Sequence, residues 1–366
     1  MRSGSATLPL DPAASASASA ADWLVRLCAV DSTSGGEDRL LPLLQAWLRE
    51  LGAEVRVQRL DRCRANILAT WGHLRTGNPA EPRLLFTTHL DTVPPFRPPR
   101  RIDDAIWGRG ACDAKGQIVA QLKTIEHLLA LGEHRLAWLG VVGEETDGAG
   151  AEAASRWSEM PRELWAVVNG EPTEGRPTRA QKGCLHLALE CAGVAGHGAL
   201  AENDDNALWR LHRWLARLAE LPARHHPLFG QETFNLGLLA GGEAPNVVAA
   251  KARAELVVRT IPGSTFVDDA MALAPAGSRV ERLSDDPPLE FWVPAGWPAE
   301  VVAFGSDAPR LASLVPEGRL LQVGPGSIAL AHGDDERIGL RELDEGIETL
   351  ARLALELLAE PSGRRP

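Results

Sequence analysis

The chain has no C-x-x-C pair. Its five cysteines, Cys28, Cys63, Cys112, Cys184 and Cys191, are scattered and odd in number. That pattern excludes a disulfide scaffold and a thiolate zinc site, and it fits a reducing compartment. Nor is there a run of about 18 uninterrupted apolar residues, the length a membrane-crossing helix needs, so no membrane partner is expected. Positive charge is short as well: 38 Lys and Arg against 49 Asp and Glu leave a formal charge of -11. This argues against a surface built for nucleic acid. Without a G-x-S-x-G elbow the chain does not read as a serine hydrolase. The glycine-rich "GRGACDAKG" lacks the G-x-x-x-x-G-K-S/T order of a phosphate loop, and no internal repeat is visible. The N-terminal "MRSGSATLPLDPAASASASAAD" holds "ASA" triplets like those of a cleavage site, but no continuous apolar stretch accompanies them. Residues 1–20 are therefore expected to be a flexible tail and the protein cytoplasmic.

What is present has a globular makeup, 45% hydrophobic and 24% charged, and 366 residues are too many for one ordinary core. Two domains are expected. From Asp22, "ADWLVRLCAV" and "EDRLLPLLQAWLRELG" carry apolar residues at helical spacing, the second ending at Gly52. "EVRVQRL", "ANILATWG" and "RLLFTTHL" alternate or run apolar as strands do. "GQIVAQLKTIEHLLALG" is an amphipathic helix, and "RLAWLGVVGEE" and "LWAVVNGEPTE" are strands ending in acids. Strands alternating with helices argue an α/β fold with a largely parallel sheet. After about residue 178 the texture changes to a smaller α+β unit, from "GCLHLALECAGVAGH" to the proline-rich "DDPPLEFWVPAGWP". "RLLQVGPGSIALAHGDDE" and "LRELDEGIETLARLALELLAE" then return to strand, loop and closing helix. The reading is one domain, residues 21–177 and 293–366, interrupted by a second, residues 178–292.

Three strand ends deliver histidine or acid: His89 and Asp91, Glu144 and Glu145, and Glu171. Loops add Asp113 in "GRGACDAKG" and His332 in "LAHGDDE". The carboxyl ends of parallel strands share one crevice, so these groups can converge. Two histidines and three carboxylates suffice for two divalent cations; imidazole with carboxylate suits zinc, with cobalt or manganese as substitutes. Two cations roughly 3.5–4 Å apart can activate a water and polarise a carbonyl. Each group has a plainer reading, His89 as a satisfied strand-end histidine and Glu144–Glu145 as a solvated turn. Adjacent carboxylates ending an apolar strand, however, repel unless a cation or proton intervenes. Asp334, Asp335 and Glu336 read as a solvated turn. His73, His127, His134, His212, His225 and His226 have no motif around them and read as surface or locally packed.

In this order, "HLDTVPP", "GRGACDAKG", "GEETDGAGA", "NGEPTE" and "AHGDDE" resemble the di-zinc peptidase family that contains acetylornithine deacetylase, succinyl-diaminopimelate desuccinylase, aminoacylase and carboxypeptidase G. The resemblance runs from about residue 22 to the C-terminal helix. It implies a zinc-peptidase-like catalytic domain interrupted by a ferredoxin-like lid or dimerisation domain, with hinges near residues 176–180 and 290–295. It implies that His89 and Glu171 hold one zinc, that Glu145 and His332 hold the other, and that Asp113 bridges them. Asp91 would orient His89 through its other ring nitrogen, and Glu144 would be the general base. A cis peptide is implied at Asp113–Ala114. His197 in "GVAGHGAL" would reach the oxyanion across a homodimer interface; its plain alternative is a turn histidine. Asn246, Arg259 and the loop Gly324–Ser327, with Gly324 and Gly326, would bind the substrate carboxylate. The alternative for Arg259 is a strand-end salt bridge. "THLDTVPPF" and "GRGACDAKGQIVAQL" lean towards acetylornithine deacetylase-like members, hence towards an N-acyl amino acid such as N-acetylornithine. The rivals are a desuccinylase, an aminoacylase, a dipeptidase or carboxypeptidase, and a catalytically silent binding relative, which the full ligand set disfavours.

Overall fold

The computed structural model describes residues 18–72, 81–200, 205–316 and 318–359; most of the N-terminal tail and His73 lie outside them. The chain forms two compact units. The first runs to Thr178 and resumes over Phe291–Ala299 and from Ser306; the second comprises Arg179–Glu290 with Glu300–Gly305.

The first unit is organised by a six-stranded sheet in the spatial order Glu54–Arg59, Ala65–Thr70, Leu136–Val141, Leu84–His89, Ala166–Asn169, Leu320–Gln322. The last four run parallel, and Ala65–Thr70 joins them antiparallel. Leu84–His89, Leu136–Val141 and Ala166–Asn169 are buried at every residue, as strands covered on both faces must be. Helix Lys115–Ala130 packs on the closing helix Leu340–Ala359, whose Leu343, Leu350, Leu353 and Leu357 repeat at helical spacing and are buried. Trp23 of helix Ala20–Cys28 stacks on Trp47 of helix Leu41–Glu50 with centroids 3.9 Å apart, worth about 1 kcal/mol beyond area burial. A capping box between Ser19 and Asp22 starts the first of these helices. Within this unit the sequence reading misses a small antiparallel sheet. There the hairpin Arg100–Ile102/Ala105–Trp107 pairs with Arg337–Gly339, and its polar "RRIDD" shows no alternation.

The second unit follows a β-α-β-β-α-β order. Its antiparallel sheet is ordered Thr233–Gly241, Lys251–Arg259, Cys184–Ala192, Arg279–Asp286. Helix Ala207–Ala219 buries Ala207, Leu211, Trp214 and Leu218 against it, which explains the strict alternation of buried and half-buried residues along Lys251–Arg259. A short strand, Thr178–Gln181, pairs with Leu289–Glu290 on one side and Glu300–Val302 on the other. The return segment Glu300–Gly305 thus groups with the second unit rather than the first. On the sheet edge, Leu236, Leu238 and Leu239 are exposed.

Candidate metal centre

The parallel strands end together, and their donors follow the last paired residues. His89 closes Leu84–His89; Glu144 and Glu145 follow Leu136–Val141; Glu171 follows Ala166–Asn169. The loop before helix Lys115–Ala130 adds Asp113, whose peptide to Ala114 is cis. His332 comes from the loop after Leu320–Gln322, with φ +64.

His89, Asp113 and Glu145 bring donor atoms within 4.8 Å of one another. His89 Nε2 lies 2.9 Å from Asp113 Oδ1. His332 Nε2 lies 2.8 Å from Glu145 Oε1 and 3.4 Å from Asp113 Oδ2, so Asp113 faces both imidazoles with separate oxygens. Glu171 is buried, and Asn169 Nδ2 donates to its Oε1 at 3.4 Å. Behind Asn169, Gln322 Oε1 accepts from Asn169 Nδ2 and from Ser306 Oγ.

The crowding of these groups shifts their titration. Burial pushes the Glu144 carboxyl well above the usual range; His89 pulls it down, while Glu171, Asp307 and Glu145 push it further up. Glu171 is raised in the same way, by burial and then by Asp113. The two imidazoles go the other way. Burial would lower His89, but its hydrogen bonds to Asp113 and Asp91 outweigh it. Hydrogen bonds to Asp113 and Glu145 push His332 up to about 10. A buried set of carboxylates this dense holds more negative charge than two imidazoles neutralise. Divalent cations relieve that excess, and the donor set of imidazole and carboxylate oxygen fits them.

Asp91 lies against the other ring nitrogen of His89. His89 Nδ1 lies 3.0 Å from the Asp91 main-chain oxygen and 3.5 Å from its carboxylate. The fully buried carboxylate instead accepts from Ser34 Oγ and from the N–H groups of Glu144 and Glu145 at 3.1 Å. It therefore holds the acidic turn as well as the histidine. Glu336, expected in a solvated turn, is buried; only Asp334 and Asp335 are exposed. Its carboxylate is drawn inward by three main-chain N–H groups and Arg109. Asp307, which the sequence reading passed over, is buried with its carboxyl raised to about 7 by burial, against the pull of Arg310. The short "GSDAPRL" carries no apolar strand to flag it.

Gly324 and Gly326 lie on the loop after Leu320–Gln322. The Gly324 N–H is already donated to Thr173 Oγ1 at 3.1 Å, which leaves Gly326, at φ +84, as the freer member of the expected cradle. His197, Asn246 and Arg259 all belong to the second unit. There Gly198 N–H donates to Asn246 O, and His197 bridges to Val247, so the first two are neighbours. His197 is exposed, with Nδ1 accepting from Ala199 N–H at 3.2 Å. Arg259 ends its strand half-buried and forms no ion pair among the described residues, so the salt-bridge alternative is not what the structure contains. Among the described residues, the histidines without motifs are exposed or locally paired, as His226 is with Phe229.

Imidazoles and carboxylates gathered at the mouth of a mostly parallel sheet are the equipment of a metal-dependent hydrolase. Residues 85–356, more than half of the chain, match peptidase family M20/M25/M40. The chain is 31% identical over 339 residues to a peptidase M20 domain-containing protein of Schizosaccharomyces pombe, spanning 90% of this chain and 82% of the relative. It is 33% identical over 373 residues to a probable carboxypeptidase of Aspergillus clavatus, spanning 90% and 81%. Its fold matches the crystal structure of an M20 family metallo-carboxypeptidase from Sulfolobus solfataricus with a TM-score of 0.74 at 17% identity, over 93% of this chain and 99% of that one. The chain belongs to peptidase family M20/M25/M40 and is a metal-dependent hydrolase of that family.

Proposed function

We propose that the chain hydrolyses the amide bond joining an acyl group to the nitrogen of an α-amino acid whose carboxylate is free. The observation that carries this is the place of Glu144, a half-buried carboxyl that follows strand Leu136–Val141 beside the donor cluster and that burial and its acidic neighbours raise above the usual carboxylate range. In this reading His89 and Glu171 hold one cation, Glu145 and His332 a second, and Asp113 lies between them. When bound, two Zn2+ ions, or Co2+ or Mn2+ in their place, would supply the Lewis acidity that polarises the carbonyl and favours ionised water. Glu144 takes the proton of the attacking water and returns it to the leaving nitrogen. Asp91 keeps Glu144 and His89 in register. His197 hydrogen-bonds the developing oxyanion, and Arg259, Asn246 and Gly326 hold the substrate carboxylate, for which a planar guanidinium is well matched.

N-acetylornithine and a short peptide are two members of one substrate series, differing in the acyl group. The relatives named as probable carboxypeptidases favour the peptide end; "GRGACDAKGQIVAQL" and "THLDTVPPF" favour the small acyl end. A homodimer through the second unit fits the exposed edge strand Thr233–Gly241, where a second copy can pair and cover Leu236, Leu238 and Leu239. The test is a screen with added Zn2+ or Co2+ of acetyl-ornithine, acetyl-citrulline, acetyl-lysine, succinyl-diaminopimelate and dipeptides, each with its carboxylate free or amidated. Turnover confined to the free carboxylates supports the reading; turnover of the amidated forms alone, or of none, sinks it.

A further inference from the structure

Two of the loops that carry donors, Gly108–Ala114 and Ala331–Glu336, are more than 200 residues apart; Gly108 N–H donates to Glu336 O at 3.0 Å, and a buried ion pair adds a side-chain tie. Glu336 Oε1 accepts from the N–H groups of Gly110 at 2.9 Å and of Cys112 and Asp113 at 3.2 Å. Its Oε2 accepts from Arg109 Nη1 at 2.5 Å. Arg109 then reaches across: Nη2 donates to His332 O at 3.1 Å and Nη1 to Gly333 O at 3.4 Å. Both side chains are essentially inaccessible, at 1% and 0%. The His332 side chain, by contrast, is 47% exposed and its backbone sits at φ +64. Packing therefore does little to hold this imidazole, whose ring meets only Glu145 and Asp113 among the described ion-pair partners, and the Arg109 fork grips its main-chain oxygen.

We infer that Arg109 and Glu336 are positioning residues that set the spacing of Asp113 and His332, so that the cation position shared by His332 and Glu145 depends on them far more than the His89–Glu171 position, which meets them only through Asp113. The inference rests on the ligand roles proposed above. Asp113 is common to both positions, but the other braces are separate: Glu171 accepts from Asn169, whose amide also donates to Gln322, and His89 lies at the Asp91 main-chain oxygen, and neither of these involves Arg109 or Glu336. Supporting contacts of this kind tune cation affinity by about 10–100-fold. The neutral Glu336→Gln keeps an acceptor oxygen for the three N–H groups but loses the charge that anchors Arg109. Arg109→Lys keeps the charge but cannot form the fork.

The test is a Co2+ titration of the chelator-stripped full chain, followed by visible absorption and calorimetry, with stripped-chain unfolding measured alongside. Wild type is expected to take two ions. In Glu336→Gln one ion should bind about 10–100-fold more weakly while the other stays within about threefold of wild type. Excess Zn2+ should recover much of kcat with little change in KM. If both affinities fall together, if neither changes, or if wild type takes a single ion, the inference is overturned. A purely structural role would lower the unfolding midpoint and leave the ratio of the two affinities untouched, which also overturns it. Should Glu336→Gln fail to fold, Arg109→Lys carries the same comparison. Selective loss of one ion in a protein that hydrolyses no amide would overturn the functional reading and leave this one standing.

Discussion

His89 and His332 are the two imidazoles of the donor cluster, and their surroundings share little. His89 ends a strand buried on both faces, with one ring nitrogen at the Asp91 main chain and the other at Asp113. His332 stands on a loop with half of its side chain in solvent; its ring meets Glu145 and Asp113, and its main chain leans on Arg109. One donor is placed by the core of the fold. The other is placed by a buried ion pair that is not part of the hydrophobic core. Damage near His89 should therefore reach both stability and cation binding, whereas loss of the His332 side chain should reach mainly cation binding.

The largest effect bears on both sides at once. Glu144→Gln should lower kcat by about 10²–10⁴-fold with cation content unchanged, read by steady-state kinetics and elemental analysis of the same preparation. Next comes the asymmetry itself, measured in the stripped chain so that cation loss does not confound it. His89→Ala leaves the buried Asp91 and Asp113 short of a partner and should cost about 3–5 kcal/mol. His332→Ala removes a half-exposed contact and should cost under about 1 kcal/mol. Urea unfolding decides between them, and equal costs would erase the contrast. A smaller effect is Ser34→Ala, which removes one hydrogen bond to the ionised Asp91 carboxylate and should cost about 1.5–3 kcal/mol with a modest fall in kcat.

The smallest effect is in pH. In the stripped chain the His332 imidazole is raised from its ordinary 6.5 to about 10 by Asp113 and Glu145. A base whose folded value is raised stabilises fully below the lower value and loses that contribution as pH climbs through the higher one. The urea midpoint of the stripped chain should thus drift down between about pH 6.5 and 10, and His332→Gln should flatten the drift. Solvent screening at this half-exposed group keeps the change small.

The candidate donors stand out in the sequence because each follows an apolar run or sits in a loop with glycine, and a histidine or acid has no packing reason to end a buried strand. Glu336 is not legible. It follows two exposed acids, Asp334 and Asp335, and nothing local separates it from them. Its distinction is that folding brings the N–H groups of Gly110, Cys112 and Asp113 to its carboxylate. The bonds of Asp91 to the acidic turn are hidden for the same reason, as is the fact that its main-chain oxygen lies nearer His89 than its carboxylate, because a sequence does not show which atom of a residue faces a ring. The hairpin at Arg100–Trp107 escapes because its third strand is Arg337–Gly339, far along the chain.

By itself the sequence determined the α/β character of the first unit and the chemical nature of its donors. Hydrophobic periodicity is local, and imidazole and carboxylate have the same chemistry wherever they stand. Only the tertiary structure decided which acids are buried, which oxygen faces which ring, and that Arg109 and Glu336 bind two distant loops together. Those are questions of desolvation and distance, and both come into being only when the chain closes on itself.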